Sequence, residues 1–171
     1  MNLMNQMLLY STPTINRNME VKEWLKLMGW TGNPFTFTVS AKLLVGYREQ
    51  IEAATRTIEE RHKILLILGP TGSGKTTFIK WLIPSLPAGY DSIYVSKPPA
   101  KPEEFVDIFN ENYRGIFNLS RLKNLYQAPK FLNKKLGKKW LIVFLDEAQE
   151  STTEVLEWLR VLSDQVDNMS V

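Results

Sequence analysis

The feature that most constrains this chain is a glycine-rich segment, Gly69–Thr76, which reads Gly-Pro-Thr-Gly-Ser-Gly-Lys-Thr. It follows an apolar run, Ile64–Leu68, and it precedes a helical pattern over Thr76–Leu82. Glycines in such a strand-to-helix turn let several backbone N–H groups point into one concavity, where they bind phosphate oxygens. The N-terminus of the following helix adds the positive end of its dipole. The segment therefore predicts a phosphate-binding loop.

The side chains of this loop predict how a nucleoside triphosphate would bind. Lys75 is expected to reach the β- and γ-phosphates and to oppose the charge of phosphoryl transfer, which makes it a candidate catalytic residue. The hydroxyl of Thr76 is expected to coordinate Mg²⁺. A chance match is disfavoured by the strand before the loop and the helix after it. The predicted nucleotide-binding residues of this segment are Gly69, Pro70, Thr71, Gly72, Ser73, Gly74, Lys75, Thr76 and Thr77.

Two carboxylates, Asp146 and Glu147, follow a second apolar run, Trp140–Leu145. Ligands of open α/β sheets bind at the carboxyl ends of strands, so this pair is expected beside the phosphate loop. Asp146 is a candidate Mg²⁺ ligand through a hard carboxylate oxygen. Glu147 is a candidate catalytic base that orients and deprotonates the attacking water. Any exposed strand end can carry such a pair, but together with the phosphate loop it indicates ATP hydrolysis.

The order of the apolar segments predicts an α/β fold. Continuous apolar runs at Ile64–Leu68 and Trp140–Leu145 are typical of parallel strands buried on both faces, and Ser92–Ser96 is a shorter β-type run. Strands that alternate with helices predict a P-loop NTPase three-layer sandwich with a mainly parallel sheet. Ser151 is predicted to be the N-cap of the last helix, with Glu154 completing a capping box.

Length and composition limit the alternatives. A chain of 171 residues is long enough for one domain, which we expect over residues 21–171, with residues 1–20 as an N-terminal extension. The sequence has no cysteine, which excludes disulfides and cysteine-based zinc or redox sites. No apolar run approaches the roughly 20 residues of a membrane-spanning helix, and no signal-peptide pattern is present. A cytoplasmic location is expected.

Four segments together resemble AAA+ ATPases, namely Asn33–Phe35, Val45–Glu49, the phosphate loop and Asp146–Gln149. The similarity is to the branch that holds ExeA-type secretion ATPases, the MuB/TniB transposition helpers and archaeal origin-recognition-like ATPases. The resemblance implies ATP and Mg²⁺ as cofactors. It also implies a homo-oligomer in the full-length protein.

The resemblance also implies where the adenine ring would bind. Phe35, Val45 and Tyr47 are expected to line that pocket, since an aromatic ring and apolar backbone suit the face of a purine. Ordinary packing of this loop onto the first helix explains Phe35 and Tyr47 equally well.

The similarity to AAA+ ATPases stops at the C-terminal end. Relatives continue into a strand with a polar sensor residue, an arginine finger and a helical lid, and Met169–Val171 looks like the start of that strand. We therefore expect a partial AAA+ core with the helical lid absent, a fragment that hydrolyses ATP weakly at best. In AAA+ folds the sensor strand lies between the phosphate-loop strand and the Asp-Glu strand. A gap in the sheet is expected there, filled by the N-terminal segment or a swapped strand, or left open in a poorly stable domain.

A basic stretch, Arg121–Lys139, contains seven lysines and arginines and no acidic residue. Cations that neutralise phosphates, interleaved with aromatic rings that stack on bases, are typical of nucleic-acid contacts. The alternative is a solvated amphipathic helix with its leucines toward the core. The candidate DNA-contacting residues are Lys130, Lys134, Lys135 and Lys138.

Three classes of function are consistent with these patterns. The first, which we expect, is an ATP-driven switch or loader acting on DNA, as in replication initiation or transposition. The second is an ATP-dependent assembly or signalling switch acting on protein partners, as in ExeA-type or STAND-type proteins. The third is a P-loop kinase, which Glu147 disfavours because a carboxylate in this place suits activation of water.

Overall fold

The structure, a computed structural model, describes residues 21–30, 46–113 and 121–171. The chain divides into two compact units, Met1–Thr38 and Val39–Val171. The described part of the first unit contains helix α1 (Val21–Leu27) and the rings of Trp24 and Trp30, which pack edge to face at 5.5 Å. Within the described ranges, no helix combines the length and the apolar character needed to cross a membrane.

The second unit alternates helices and strands, as the apolar pattern predicts. Short 3₁₀ turns follow α3 and precede α4 and α5, and a further one, Ala148–Glu150, connects β2 to α6. The elements in chain order are α2 (Arg48–Glu59), α3 (Lys75–Leu82), β1 (Tyr90–Val95), α4 (Phe105–Asn112), α5 (Ala128–Leu136), β2 (Trp140–Leu145), α6 (Thr153–Gln165) and β3 (Met169–Ser170).

The three strands form a parallel sheet in the order β1-β2-β3. Strand β2 pairs with β1 along its whole length, and Leu141 and Ile142 pair with β3. Beyond β3, Val171 donates its N–H to the carbonyl of Lys63 and accepts from the N–H of Leu65, both at 2.9 Å. The segment that leads to the phosphate loop therefore lies beside the β3 end of the sheet, separated from β2 by residues 169–171.

Helices cover the sheet on both faces, which confirms the predicted α/β fold. Strand β2 alternates between the two layers. Its residues Leu141 and Val143 belong to one core, which is built with α4, α5 and α6. Its residues Trp140, Ile142 and Phe144 belong to the other core, which is built with α2 and α3.

The prediction that Ile64–Leu68 is a strand buried on both faces is wrong. The side chains of Ile64, Leu66 and Leu68 are 53%, 69% and 81% exposed, while Leu65 and Ile67 pack against the α2–α3 core. Burial of the outward face requires a neighbouring strand and a helix above it, and within the described residues only Val171 pairs with this segment. As a consequence, an opening of about 430 Å³ lies beside this segment, and both residues 64–68 and residues 142–145 line it.

The predicted start of α6 is wrong by one residue. Thr152, not Ser151, is the N-cap, and its Oγ1 accepts from the N–H of Val155 at 3.3 Å. The 3₁₀ turn Ala148–Glu150 explains the shift, because it ends with the N–H of Ser151 donating to the carbonyl of Ala148. Ser151 thus belongs to the turn, and the following residue begins the helix.

The end of α6 is fixed by a lysine that lies far away in sequence. The Nζ of Lys63 donates to the carbonyls of Ser163 and Val166 at 2.9 Å and of Asp167 at 3.0 Å. The last carbonyls of a helix lack partners within the helix and carry partial negative charge, so an ammonium group stabilises them. Lys63 therefore ties the start of the phosphate-loop segment to the turn that leads into β3.

We predict that Tyr113→Phe increases stability. In the described structure the Tyr113 hydroxyl is buried without a hydrogen-bond partner, and such a group costs about 1–3 kcal/mol. Phenylalanine keeps the packing of the ring on Phe131 at 6.2 Å. Urea unfolding at about pH 7 should give a free energy of unfolding about 1 kcal/mol higher for the variant. Tyr126→Phe, at a side chain that is 97% exposed, is the matched control and should change nothing.

The same substitution should change how stability depends on alkaline pH. Burial, followed by the negative charge of Asp91, raises the pKa of Tyr113 above its usual value. A raised pKa in the folded state gives stability that is complete below about pH 10 and is lost as the pH rises further. Tyr113→Phe should therefore lose less stability between about pH 9 and about pH 11 than the wild type. A steeper loss in the variant would contradict this account.

Candidate nucleotide site

The phosphate loop adopts a backbone that depends on its glycines. Gly72 and Gly74 have φ of +80° and +84°, which is the left-handed region that costs other residues about 1–2 kcal/mol. A side chain at Gly69 would approach the Oγ of Ser73 to 2.7 Å. The curled loop predicted from the sequence is thus present between residue 69 and the start of α3.

Lys75 is the first residue of α3 and folds back onto the loop. Its Nζ donates to the carbonyls of Gly69 and Pro70, at 3.0 Å each. Thr76 and Thr77 lie in the first turn of the helix, where backbone N–H groups have no intrahelical partner. The loop, the ammonium and the helix start therefore form one positively charged region suited to phosphate.

The carboxylate of Asp146 is buried, with 5% of the residue exposed, and both of its oxygens accept a hydrogen bond. Oδ2 accepts from the hydroxyl of Tyr94 at 2.8 Å, and Oδ1 accepts from the backbone N–H of Glu147 at 3.0 Å. The backbone N–H of Asp146 donates to the carbonyl of Val95 at the end of β1, at 2.9 Å. Burial, followed by the hydrogen bond and charge of Asp146 and the charge of Glu147, raises the pKa of Tyr94 to about 12, so this phenol stays protonated and is a hydrogen-bond donor at neutral pH.

Glu147 has an unusual backbone for its residue type. Its φ of 51° and ψ of 36° lie in the left-handed region, which costs a non-glycine residue about 1–3 kcal/mol and is enriched at functional sites. Its side chain is exposed, and its Oε2 accepts a hydrogen bond from the amide of Gln149. The tight turn after β2 thus directs the two carboxylates differently, one buried and one toward solvent.

The opening between the phosphate-loop segment and β2 brings the predicted catalytic residues together. Lys75, Asp146 and Glu147 all line it, as does Gln149, and the rest of its wall is mainly apolar. Placement at the carboxyl end of β2, beside the loop, agrees with the sequence-based expectation.

Tyr47 contacts the phosphate loop. Its hydroxyl donates to the carbonyl of Ser73, and its ring stacks on Phe78 of α3 at 6.0 Å. These contacts are those of a residue that packs the loop against the helix. Phe35 and Val45 lie outside the described residues, so the adenine pocket stays a prediction.

The basic stretch contains a 3₁₀ turn (Leu125–Gln127), α5 and the turn after it. Leu132 and Leu136 are buried, while Lys130, Lys134 and Lys138 are exposed and make no ion pair within the described residues. Lys135 differs, because its Nζ lies 5.7 Å from the ring of Phe131. The segment is therefore amphipathic, with a basic stripe on its outer side.

The donor set of the site fits Mg²⁺. One carboxylate at Asp146 and one hydroxyl at Thr76 are few protein ligands, and the described ranges contain no cluster of three or more metal-binding side chains. Mg²⁺ is ordinarily bound in this way, through one or two carboxylates, substrate phosphates and retained waters. Each oxygen of Asp146 keeps an acceptor position, since an ionised carboxylate offers about four.

Comparison with protein families matches residues 58–171 to the family described as AAA domain. This match covers more than half of the chain, and the chain therefore belongs to the AAA domain family of P-loop ATPases. Among curated proteins, it is similar to the general secretion pathway protein A of Aeromonas hydrophila, with 26% identity over 148 residues. The match covers 82% of this chain and 27% of the relative, so the chain spans about a quarter of that protein's length. No solved structure matches significantly.

We predict that Gly74→Ala weakens nucleotide binding. The new side chain would be strained at φ +84° and would approach the Tyr47 hydroxyl to 2.7 Å, which displaces the loop. Gly137→Ala is the matched control, because Gly137 also has a positive φ, +57°, but among the described residues no atom beyond its chain neighbours lies within 4 Å of an added side chain. Titration with a fluorescent ATP analogue should show affinity reduced several-fold for Gly74→Ala alone. Equal affinities for the two variants would contradict the structural role given to Gly74.

Proposed function

We propose that this domain binds ATP with Mg²⁺ and hydrolyses it as a molecular switch. The observation that carries the proposal is the shared opening lined by Lys75, Asp146 and Glu147, at the point where the phosphate loop meets the end of β2. A phosphate cradle beside a buried metal-binding carboxylate and an exposed base is the arrangement that phosphoryl transfer to water requires.

Each residue has a distinct part in the proposed reaction. The ammonium of Lys75 exchanges the carbonyls of Gly69 and Pro70 for oxygens of the β- and γ-phosphates. Asp146 and Thr76 hold Mg²⁺, which supplies neutralisation of phosphate charge when bound. Glu147 accepts a proton from water as the water oxygen bonds to the γ-phosphorus, and the bond from phosphorus to the bridging oxygen breaks. ADP and inorganic phosphate result.

We predict that Lys75→Ala and Glu147→Gln separate binding from hydrolysis. Lys75→Ala should weaken ATP binding about tenfold or more, because it removes a charge-assisted contact to phosphate. Glu147→Gln should leave binding unchanged and slow turnover at least about a hundredfold, because it removes the base. Isothermal titration and phosphate release, measured on the full-length protein, report the two quantities. Lys130→Ala removes an exposed lysine of α5 and serves as the control. Unchanged ATP affinity in Lys75→Ala would refute the site assignment.

Protein partners are the target class that we favour. The relative from Aeromonas hydrophila is named as a component of a general secretion pathway, and this supports an ATP-dependent assembly switch of the ExeA type. We also propose that the chain belongs to the branch that holds the ExeA, MuB/TniB and origin-recognition-like ATPases. We propose further that the full-length protein is a homo-oligomer and that it is located in the cytoplasm. The division into an extension over residues 1–20 and a partial AAA+ domain over residues 21–171 is likewise proposed.

DNA is the second candidate target, and the basic stripe of α5 favours it. Lys130, Lys134 and Lys138 are exposed on one segment that contains no acidic residue, so their charges can neutralise phosphates. The two target classes differ in a simple observable, since DNA binding through such contacts depends steeply on salt.

If DNA is the target, we predict that charge reversal at Lys130 and Lys134 lowers the affinity of the protein for DNA. Fluorescence anisotropy with ATP present should show weaker binding to all DNA sequences alike. The slope of log affinity against log salt should fall by about 0.9 for each phosphate that the variant no longer neutralises. A double charge reversal at Lys22 and Lys101, two exposed lysines outside α5, is the control for net charge. Absence of any DNA binding by the wild type at low salt would leave protein partners as the target.

A further inference from the structure

We propose that Tyr94 is a positioning residue for Asp146, and that its hydroxyl sets the orientation in which this carboxylate binds Mg²⁺. The inference rests on the function proposed above and concerns the same site. Sequence patterns do not single out Tyr94, and its position on β1 places it away from both nucleotide-binding motifs in the chain.

Strand β1 holds Asp146 at two points. Tyr94 and Val95 are adjacent residues at the end of β1, in register with Phe144 and Leu145 of β2. The carbonyl of Val95 accepts from the backbone N–H of Asp146 at 2.9 Å, and the hydroxyl of Tyr94 donates to Oδ2 at 2.8 Å. One strand thus fixes both the main chain and the side chain of the proposed metal ligand.

The hydroxyl is the part of Tyr94 that matters for this orientation. Rotation of an Asp carboxylate about its last torsion is broad and weakly restricted unless hydrogen bonds fix it. Oδ1 accepts from the N–H of Glu147 at 3.0 Å, and in the described structure the Tyr94 hydroxyl is the protein donor to Oδ2. Two donors on two oxygens define the plane of the carboxylate and leave one acceptor position free on each.

The Tyr94 ring is itself held in place. It packs in the α2–α3 core, and the Nζ of Lys80 lies 5.8 Å from its centroid. Both contacts involve the ring, so Tyr94→Phe removes the hydroxyl and keeps them. Strand β1 also offers a matched control on the same face, Tyr90, whose hydroxyl donates to the carbonyl of Ile58 at 3.1 Å. Tyr90→Phe removes an equivalent hydrogen bond without any contact to Asp146.

The test measures metal affinity directly in the full chain. Mn²⁺ takes the same hard oxygen ligands as Mg²⁺ and can be titrated by electron paramagnetic resonance in the presence of ATP. Tyr94→Phe should lower the Mn²⁺ affinity about tenfold, as expected for removal of a partner that orients a metal ligand. ATP affinity in EDTA, which depends on Lys75 and the loop, should stay at the wild-type value. Tyr90→Phe should leave both quantities unchanged.

Asp146→Asn separates this inference from the proposed function. If Asp146→Asn abolishes Mn²⁺ binding and Tyr94→Phe leaves it intact, the positioning role is overturned and the ATPase proposal stands. If Asp146→Asn retains wild-type Mn²⁺ affinity, the proposed metal site itself fails. Equal reductions in Tyr94→Phe and Tyr90→Phe also overturn the inference, because they show general weakening of β1.

Discussion

The pairing of β2 with neighbours on both sides, and its burial in two cores, is the constraint on which the site depends. Trp140, Ile142 and Phe144 anchor the strand against α2 and α3, and Leu141 and Val143 anchor it against the opposite layer. Both anchors fix the point at which the strand ends. Asp146 is therefore placed by hydrophobic burial several residues upstream, and the local hydrogen bonds adjust the orientation of a carboxylate whose position is already set.

Local patterns predicted the parts of the molecule that local chemistry determines. The phosphate loop follows from its own residues, and the bounds of β2 follow from an uninterrupted apolar run. Ile64–Leu68 has the same kind of run, yet most of its side chains are exposed. Its burial depends on what lies beside it in space, which its own residues do not encode. The predicted start of α6 differs from the observed one by one residue for a similar reason, because Ser151 belongs to the preceding 3₁₀ turn.

Contacts between distant residues complete the site, and local sequence patterns give little sign of them. Tyr94 and Asp146 are 52 positions apart, and a tyrosine in a strand is most simply interpreted as packing. The contact between Tyr94 and Asp146 follows from the parallel register of β1 and β2, which a pattern of apolar residues does not specify. Lys63 and the end of α6 are about twice as far apart in sequence, and an isolated lysine before a strand predicts no partner.

The two-faced packing of β2 also governs which changes in chain length the protein can tolerate. Deleting one residue within the strand would exchange the side chains delivered to its two layers, because successive residues point to opposite faces. Large aromatic groups would then meet the space shaped for Leu141 and Val143, and the Asp146 carboxylate would move to the opposite face of the sheet, away from the Tyr94 hydroxyl. Substitution among apolar residues preserves this alternation, whereas insertion or deletion does not. Changes in length are therefore tolerated best in the exposed connections between these elements.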